Sequence, residues 1–248
     1  MQPSQRDLVL SRIAAAVVSM KVVGTIRLAI DGVDGSGKTF FADELATCLM
    51  ALGKTVIRAS ADDFHNPREV RYRQGRDSPA GFYADTYNYP VLISRLLGPL
   101  GPKGSRRFCR TAFNVSTDRP NPAKEEIASP GSILVFDGMF LHRPELRHHW
   151  DFSVFLAVPF DISIPRGASR GEGWGSSDPN SHSNQRYVEG QKIYLRECEP
   201  EINATVMIDN SDLAAPKIGH FKHTISAIIV RRAGELDVSV LTQIQNDG

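Results

Sequence analysis

The sequence predicts an α/β fold in which a mostly parallel sheet is covered on both faces by helices. Three observations predict it. Short apolar, β-branched runs alternate with helical patterns along most of the chain. A glycine-rich stretch, Gly32–Thr39, lies between the first such run and an amphipathic helical pattern. Acidic residues then stand where two later runs end, at Asp62–Asp63 and at Asp137, on the sheet edge where open α/β sheets gather their ligands. A chain of 248 residues is long enough to bury the core of one large domain or two small ones.

In chain order, Leu10, Ile13, Ala14 and Val17 recur at helical spacing, and Ser4 with Asp7 resembles a capping box. Residues 1–24 therefore read as a docking helix; Arg6, Asp7 and Arg12 interrupt the apolar residues and exclude a signal peptide. Strands are predicted over Thr25–Ile30, Thr55–Ala59, Ile133–Phe136, Phe152–Val158 and Thr205–Ile208. The helix after the glycine loop presents Phe41, Leu45, Cys48, Leu49 and Leu52 on one face, and Gly53 stops it. Residues 98–130 form a long excursion. Residues 167–184 hold four glycines and five serines with few apolar residues, a composition that suits a lid over about 166–186. Residues 25–213 form the main domain, and residues 214–248 are a tail with no functional reading.

The 29 basic and 28 acidic residues nearly cancel, which argues against a nucleic-acid binder or a membrane-surface binder. Cys48, Cys109 and Cys198 form no CxxC pair, so neither a disulfide framework nor a structural zinc site is expected and a reducing cytoplasm fits. No run reaches membrane-spanning length. His148 and His149 lack other ligand types at metal spacing and read as surface residues. Self-association into a homo-oligomer is left open.

Gly32-Val33-Asp34-Gly35-Ser36-Gly37-Lys38-Thr39 matches G-x-x-x-x-G-K-[ST] in its strand–loop–helix setting. Small residues let successive amides face phosphates, and the following helix presents its positive end. Lys38 would reach the β- and γ-phosphates of ATP, and the Thr39 hydroxyl would ligate Mg²⁺. Asp137 in "ILVFDG" would complete the metal site, although an Asp ending a strand also serves as a turn former. The residue after it is Gly138 and not a water-activating Glu, which leans toward transfer over hydrolysis. Asp62 and Asp63 follow the second strand, where a carboxylate could take the proton of an acceptor hydroxyl; the same pair would also suit a solvated turn.

The cradle, "SADDFHNP", "SPAGFYADTYNYPVL", "FDGMFLHRPELRHHWD" and "RYVEGQKIYLRECEPEINATVMIDN", in this order and spacing, resemble the uridine kinase-like P-loop kinases grouped with phosphoribulokinase, in particular the type common in high-GC Gram-positive bacteria. The resemblance covers about residues 25–213. It implies a three-layer P-loop kinase fold with a five-stranded, mostly parallel sheet and a mobile lid. Carried over by position, it makes Asp62 the general base ahead of Asp63, and sets Phe64 and His65 beside the acceptor pocket. Tyr83, Asp85, Tyr87 and Tyr89 stand in the segment that would wall that pocket, with Asp85 on a ribose-like diol, and Arg119 would border it. Core tyrosines and a helix-capping Asp85 would explain the same residues. Arg68, Arg71, Arg73 and Arg76 could steer an anion or form a solvated face.

Arg166 and Arg170, four apart and so on one helical face, are the lid arginines of the resemblance, with Arg186 after the loop on the nucleotide side. Asp209, with Asn210 beside it, would approach the adenine. Three positions depart from the pattern: Asn88, Asn114 and Gly171 stand where relatives often have an acid. The expected activity is ATP- and Mg²⁺-dependent phosphorylation of a small, nucleoside-like acceptor, the 5′-hydroxyl of uridine first. The alternatives are a kinase for pantothenate, a sugar phosphate or nicotinamide riboside, and a nucleotide-binding regulator with impaired catalysis.

Overall fold

The five β-branched runs pair as parallel strands: β1 (Ile26–Gly32), β2 (Val56–Ser60), β3 (Ile133–Gly138), β4 (Phe152–Ala157) and β5 (Val206–Asp209). The computed structural model describes residues 2–171 and 175–222, so residues 172–174 of the expected lid and 223–248 of the expected tail lie outside the described residues. A sixth strand, β6 (Lys217–Phe221), runs antiparallel beside β5 and gives the order β6–β5–β4–β1–β3–β2. The sheet thus continues past residue 213 with one strand more than the five expected. Its exposed edge position explains why Lys217–Phe221 carries no continuous apolar run.

β1 and β3 are buried along their whole length, which is why they read as unbroken apolar runs. Their register sets Ile30 opposite Asp137 and Asp31 opposite Gly138, while Ser60 of β2 also faces Asp137. The C-terminal ends of β1, β2 and β3 therefore meet at one edge.

One face of the sheet is covered by α1 (Gln5–Ser19) and α2 (Lys38–Ala51). The capping box at Ser4 and Asp7 is present, and Ile13, Ala14 and Val17 share a core with Phe41, Leu45 and Leu49 of α2. Arg6 of α1 pairs with Glu44 of α2, and Gly53, at φ +76°, ends the α2 helix by donating to the Met50 carbonyl. The other face carries α3 (Pro79–Asp85) and, after α4 (Phe160–Ala168), the long α5 (His182–Cys198). Phe64, Phe82, Phe136, Phe140 and Tyr194 fill the layer between them. Within residues 98–130 two short antiparallel ladders form, Arg107–Phe108 with Glu126–Ile127 and Phe113–Asn114 with Arg119–Pro120. No helix among the described residues is long and apolar enough to cross a membrane.

A buried polar network ties these layers together. The Asp31 carboxylate, with no exposed surface, accepts from the Gly32 N–H at 2.7 Å, the Leu141 N–H at 3.1 Å, His142 Nδ1 at 2.7 Å and the Tyr194 hydroxyl. Tyr194 Oη in turn accepts the His142 N–H at 3.0 Å, and His142 Nε2 lies 3.0 Å from Ser153 Oγ. Buried polar groups without partners cost about 1–3 kcal/mol each. Tyr194→Phe removes one donor from Asp31 and the acceptor of the His142 N–H. Its unfolding free energy in urea is expected to fall by about 1–3 kcal/mol with an unchanged m-value.

Candidate active site

The glycine loop, the ends of β2 and β3, and the chain just beyond α4 enclose one cleft. Asp34, Gly35, Gly37, Lys38 and Thr39 line one side; Ser60, Asp62 and Tyr87 line another, with Asp137, Gly138 and Met139 between them and Arg170 at the rim. Asp62 and Lys38 therefore open onto a common space.

On the loop side, Lys38 Nζ donates to the Val33 carbonyl at 2.8 Å, so the side chain lies back across the loop. Gly35 has φ +72°, and a Cβ there would stand 1.9 Å from the Ser163 carbonyl of α4; only glycine lets α4 rest on the loop. Asn210, wholly buried, donates to the Ser36 carbonyl at 2.7 Å and anchors the loop from the end of β5. The hydroxyls of Ser36 and Ser163 are buried and have no hydrogen-bond partner among the described residues.

At the β3 end, Thr39 Oγ1 donates to Asp137 Oδ2 at 2.8 Å, bringing the two sequence-predicted metal ligands together. Arg58 of β2 donates to the other oxygen, Oδ1, at 3.0 Å and also to the Val135 carbonyl. Gly138 has its own steric reason. A Cβ on it would stand 2.3 Å from the Cβ of Ala61, so the position has no room for a glutamate.

On the acceptor side a 3₁₀ turn, Ala61–Phe64, follows β2 and points its two carboxylates differently. Asp62 faces the cleft and accepts from the Tyr87 hydroxyl at 3.3 Å, whereas Asp63 does not line it. Burial, then the charges of Asp62 and Asp137, hold the Asp63 carboxyl above its usual range. His65 Nδ1 lies 2.8 Å from the Asp62 carbonyl, and its ring packs 4.8 Å from that of Tyr87. Burial lowers the His65 imidazole below its ordinary pKa, against the opposing pull of Asp62.

Several expected site residues lie elsewhere. The turn swings Phe64 inward, where it is wholly buried against Phe136. Tyr83 points away from the cleft: its hydroxyl lies 3.4 Å from Cys198 Sγ, Arg143 sits 4.4 Å over its ring, and burial raises its phenol. Asp85 is buried and engaged by Arg73 Nε at 3.0 Å and Gln74 Nε2 at 2.7 Å, leaving no oxygen turned to the cleft. Arg119 is exposed on a two-residue ladder. Asp209 is exposed, and hydrogen bonds from Ser211, its side chain first and then its N–H at 2.9 Å, hold the carboxyl below its usual range. Of the departures, Asn88 caps the turn that follows it through the Val91 N–H at 3.1 Å, Asn114 receives the Ser116 and Thr117 N–H groups, and Gly171 has φ +114°.

The expected arginines also separate. Because α4 stops at Ala168, Arg170 sits beyond the helix and not on one face with Arg166. Arg170 lines the cleft; Arg166 donates to the carbonyls of Asn210 and Ser211. Arg186 is 6% exposed, and its guanidinium donates to the carbonyls of Arg71, Gly75, Arg76 and Ser78 at 2.8–3.1 Å. It holds the 71–78 turn together and does not face the loop. Sequence reasoning placed Tyr87 in the segment that walls the acceptor pocket, and here it lines the cleft; it gave no role to Arg58 or to Gln191, although Gln191 stands in the quoted stretch "RYVEGQKIYLRECEPEINATVMIDN".

Replacing Arg186 by Lys leaves one compact ammonium where a planar fork serves four carbonyls. The variant is expected to lose about 1–3 kcal/mol of stability by thermal or urea unfolding, with nucleotide affinity unchanged in the folded fraction. Unchanged stability with weakened nucleotide binding would return Arg186 to the phosphate side.

No protein-family model and no curated protein matches the sequence. Among solved structures, a possible uridine kinase from Bacillus stearothermophilus superimposes with a TM-score of 0.63 at 25% identity, covering 80% of this chain and 96% of that one. The YGR205w protein gives a TM-score of 0.58 at 16% identity over 88% of this chain and 99% of its own. D-glycerate 3-kinase from Cryptococcus neoformans var. grubii serotype A gives 0.54 at 12% identity over 78% of this chain and 89% of its own. With its mostly parallel sheet, flanking helices and glycine loop at the end of β1, the chain has the α/β fold of the P-loop kinases.

Proposed function

We propose that the protein is an ATP-dependent phosphotransferase acting on a hydroxyl of a small molecule, with the 5′-hydroxyl of uridine or a related nucleoside as the favoured acceptor. The observation that carries this reading is the opening of Lys38 and Asp62 onto one cleft, with Thr39 and Asp137 in contact beside them. The structure named as a possible uridine kinase, which covers most of both chains, supports the choice of acceptor.

The loop residues fit a polyphosphate. Gly35 and Gly37 stand at positive φ, α2 begins directly behind them, and Ser36 keeps a buried hydroxyl without a partner among the described residues. Thr39 and Asp137 fit Mg²⁺, a hard cation that takes one or two oxygen ligands from protein and the rest from water and phosphate. When bound there, Mg²⁺ would draw charge from the β- and γ-phosphate oxygens. Lys38 would turn from the Val33 carbonyl toward those oxygens, and Arg170 would add positive charge from the rim. Arg166 would act at one remove, holding the chain after β5 against α4.

Asp62 would take the proton of the acceptor hydroxyl as its oxygen attacks the γ-phosphorus and ADP leaves. Tyr87, donating to the same carboxylate, would hold it in place, while His65 would buttress Tyr87 from behind. Transfer is favoured over hydrolysis because the Ala61 methyl fills the space a water-activating carboxylate at position 138 would need.

Purified protein given ATP, Mg²⁺ and a panel of nucleosides is expected to release ADP only when an acceptor is present. ADP release that ignores every acceptor would identify an ATPase, and tight ATP binding without turnover would identify a regulator. Asp62→Asn should lower kcat about 10²–10⁴-fold while leaving ATP affinity near that of the parent.

A further inference from the structure

Gln191 reaches the phosphate loop from α5 and is 1% exposed. Its Oε1 accepts the Asp34 N–H at 2.6 Å; its Nε2 donates to the Tyr187 carbonyl at 3.0 Å and to Asp34 Oδ2 at 3.4 Å. Both ends of the amide are engaged, so its orientation is set, and with it that of Asp34. The Asp34 N–H, held by Gln191, is withdrawn from the amides that can turn to an anion. Its carboxyl is a poor neighbour for a triphosphate by charge alone, yet it lines the same cleft as Asp62 and Tyr87.

The arginines nearest the acceptor segment do not balance these acids: Arg71 pairs with Asp118 and Arg73 with Asp85. Among the described residues, the cations that line the cleft are Lys38 and Arg170.

We propose that Asp34, aimed by Gln191, is a specificity-determining residue that accepts a second hydroxyl of the acceptor, so that the site takes an uncharged polyhydroxyl compound and discriminates against anionic ones. Gln191 is the positioning residue of the pair. The proposal rests on the phosphotransferase reading above and assigns Asp34 to the acceptor, where the loop motif alone assigns it to the nucleotide. Burial raises the Asp34 carboxyl above its usual range, opposed by Lys38, reinforced by Asp62 and opposed again by Arg170.

Steady-state kinetics with ATP and the acceptor varied in turn test this for the parent, Asp34→Asn and Gln191→Glu, with neutral nucleosides set against glycerate and a sugar phosphate. The parent is expected to favour neutral acceptors about tenfold or more in kcat/KM. Asp34→Asn is expected to raise the acceptor KM about tenfold and to narrow that preference, with the KM for ATP within about twofold of the parent. Gln191→Glu supplies a second readout. When protonated, its carboxyl can still accept from the Asp34 N–H and donate to Oδ2; when ionised, it repels Asp34. The groups facing Asp34 are Lys38, Asp62, Arg170, Tyr87 and Tyr187, and all are shared with the parent. The acceptor KM of Gln191→Glu, relative to the parent at each pH, is therefore expected to climb as pH rises from about 5 to about 8.

Equal effects of Asp34→Asn on the two KM values, or anionic acceptors used as well as neutral ones, would overturn the proposal while leaving the phosphotransferase reading intact. The absence of ADP release with every acceptor would overturn that reading and the proposal with it.

Discussion

The placement of the cleft turns on the buried Asp31 carboxylate. A carboxylate removed from water is tolerated only where donors surround it, and four groups supply them: the first loop glycine, Leu141, His142 and Tyr194. Meeting that requirement brings together the end of β1, the chain leaving β3 and the middle of α5. Tyr194 follows Gln191 by three residues and so shares its face of the helix. The bond that seats Tyr194 on Asp31 therefore also delivers Gln191 to Asp34, three residues further along the chain from Asp31. One buried charge sets the root of the phosphate loop, and the helix that answers it sets the tip.

The layers were legible because burial leaves a simple imprint. β1 and β3 are covered on both faces and read as continuous apolar runs; α1 and α2 are covered on one, and Ile13, Val17, Phe41, Leu45 and Leu49 fall at helical spacing. The phosphate loop was legible because its backbone demands particular residues. β6 was not, since an edge strand of Lys, Ile, Gly, His and Phe has neither alternation nor a run to betray it. Polar residues that act through long-range hydrogen bonds leave no imprint either. Nothing in the neighbourhood of Gln191 or Asp31 announces partners 157 and 163 positions away.

The arginines show the same limit from the other side. Beside a glycine loop of this pattern each one reads as a candidate for phosphate, but a guanidinium carries five donors and suits a group of carbonyls equally well. Arg186 closes the turn at 71–78, Arg166 holds the chain after β5, and Arg58 braces Asp137. Only the folded chain distinguishes a cation directed at solvent and ligand from one directed at its own backbone. The aromatic residues divide likewise: Tyr83 and Tyr87 are four apart, yet one packs under Arg143 and the other donates to Asp62.

The contact between Ala61 and Gly138 has a consequence for how such a chain can diverge. These residues immediately precede Asp62 and follow Asp137, so a single methyl group sets the gap between two neighbouring strand exits and between the acids they carry. Enlarging either partner alone would wedge those exits apart. The two positions are therefore constrained to vary as a pair, and small residues at both are a spacer whose thickness the chemistry inherits.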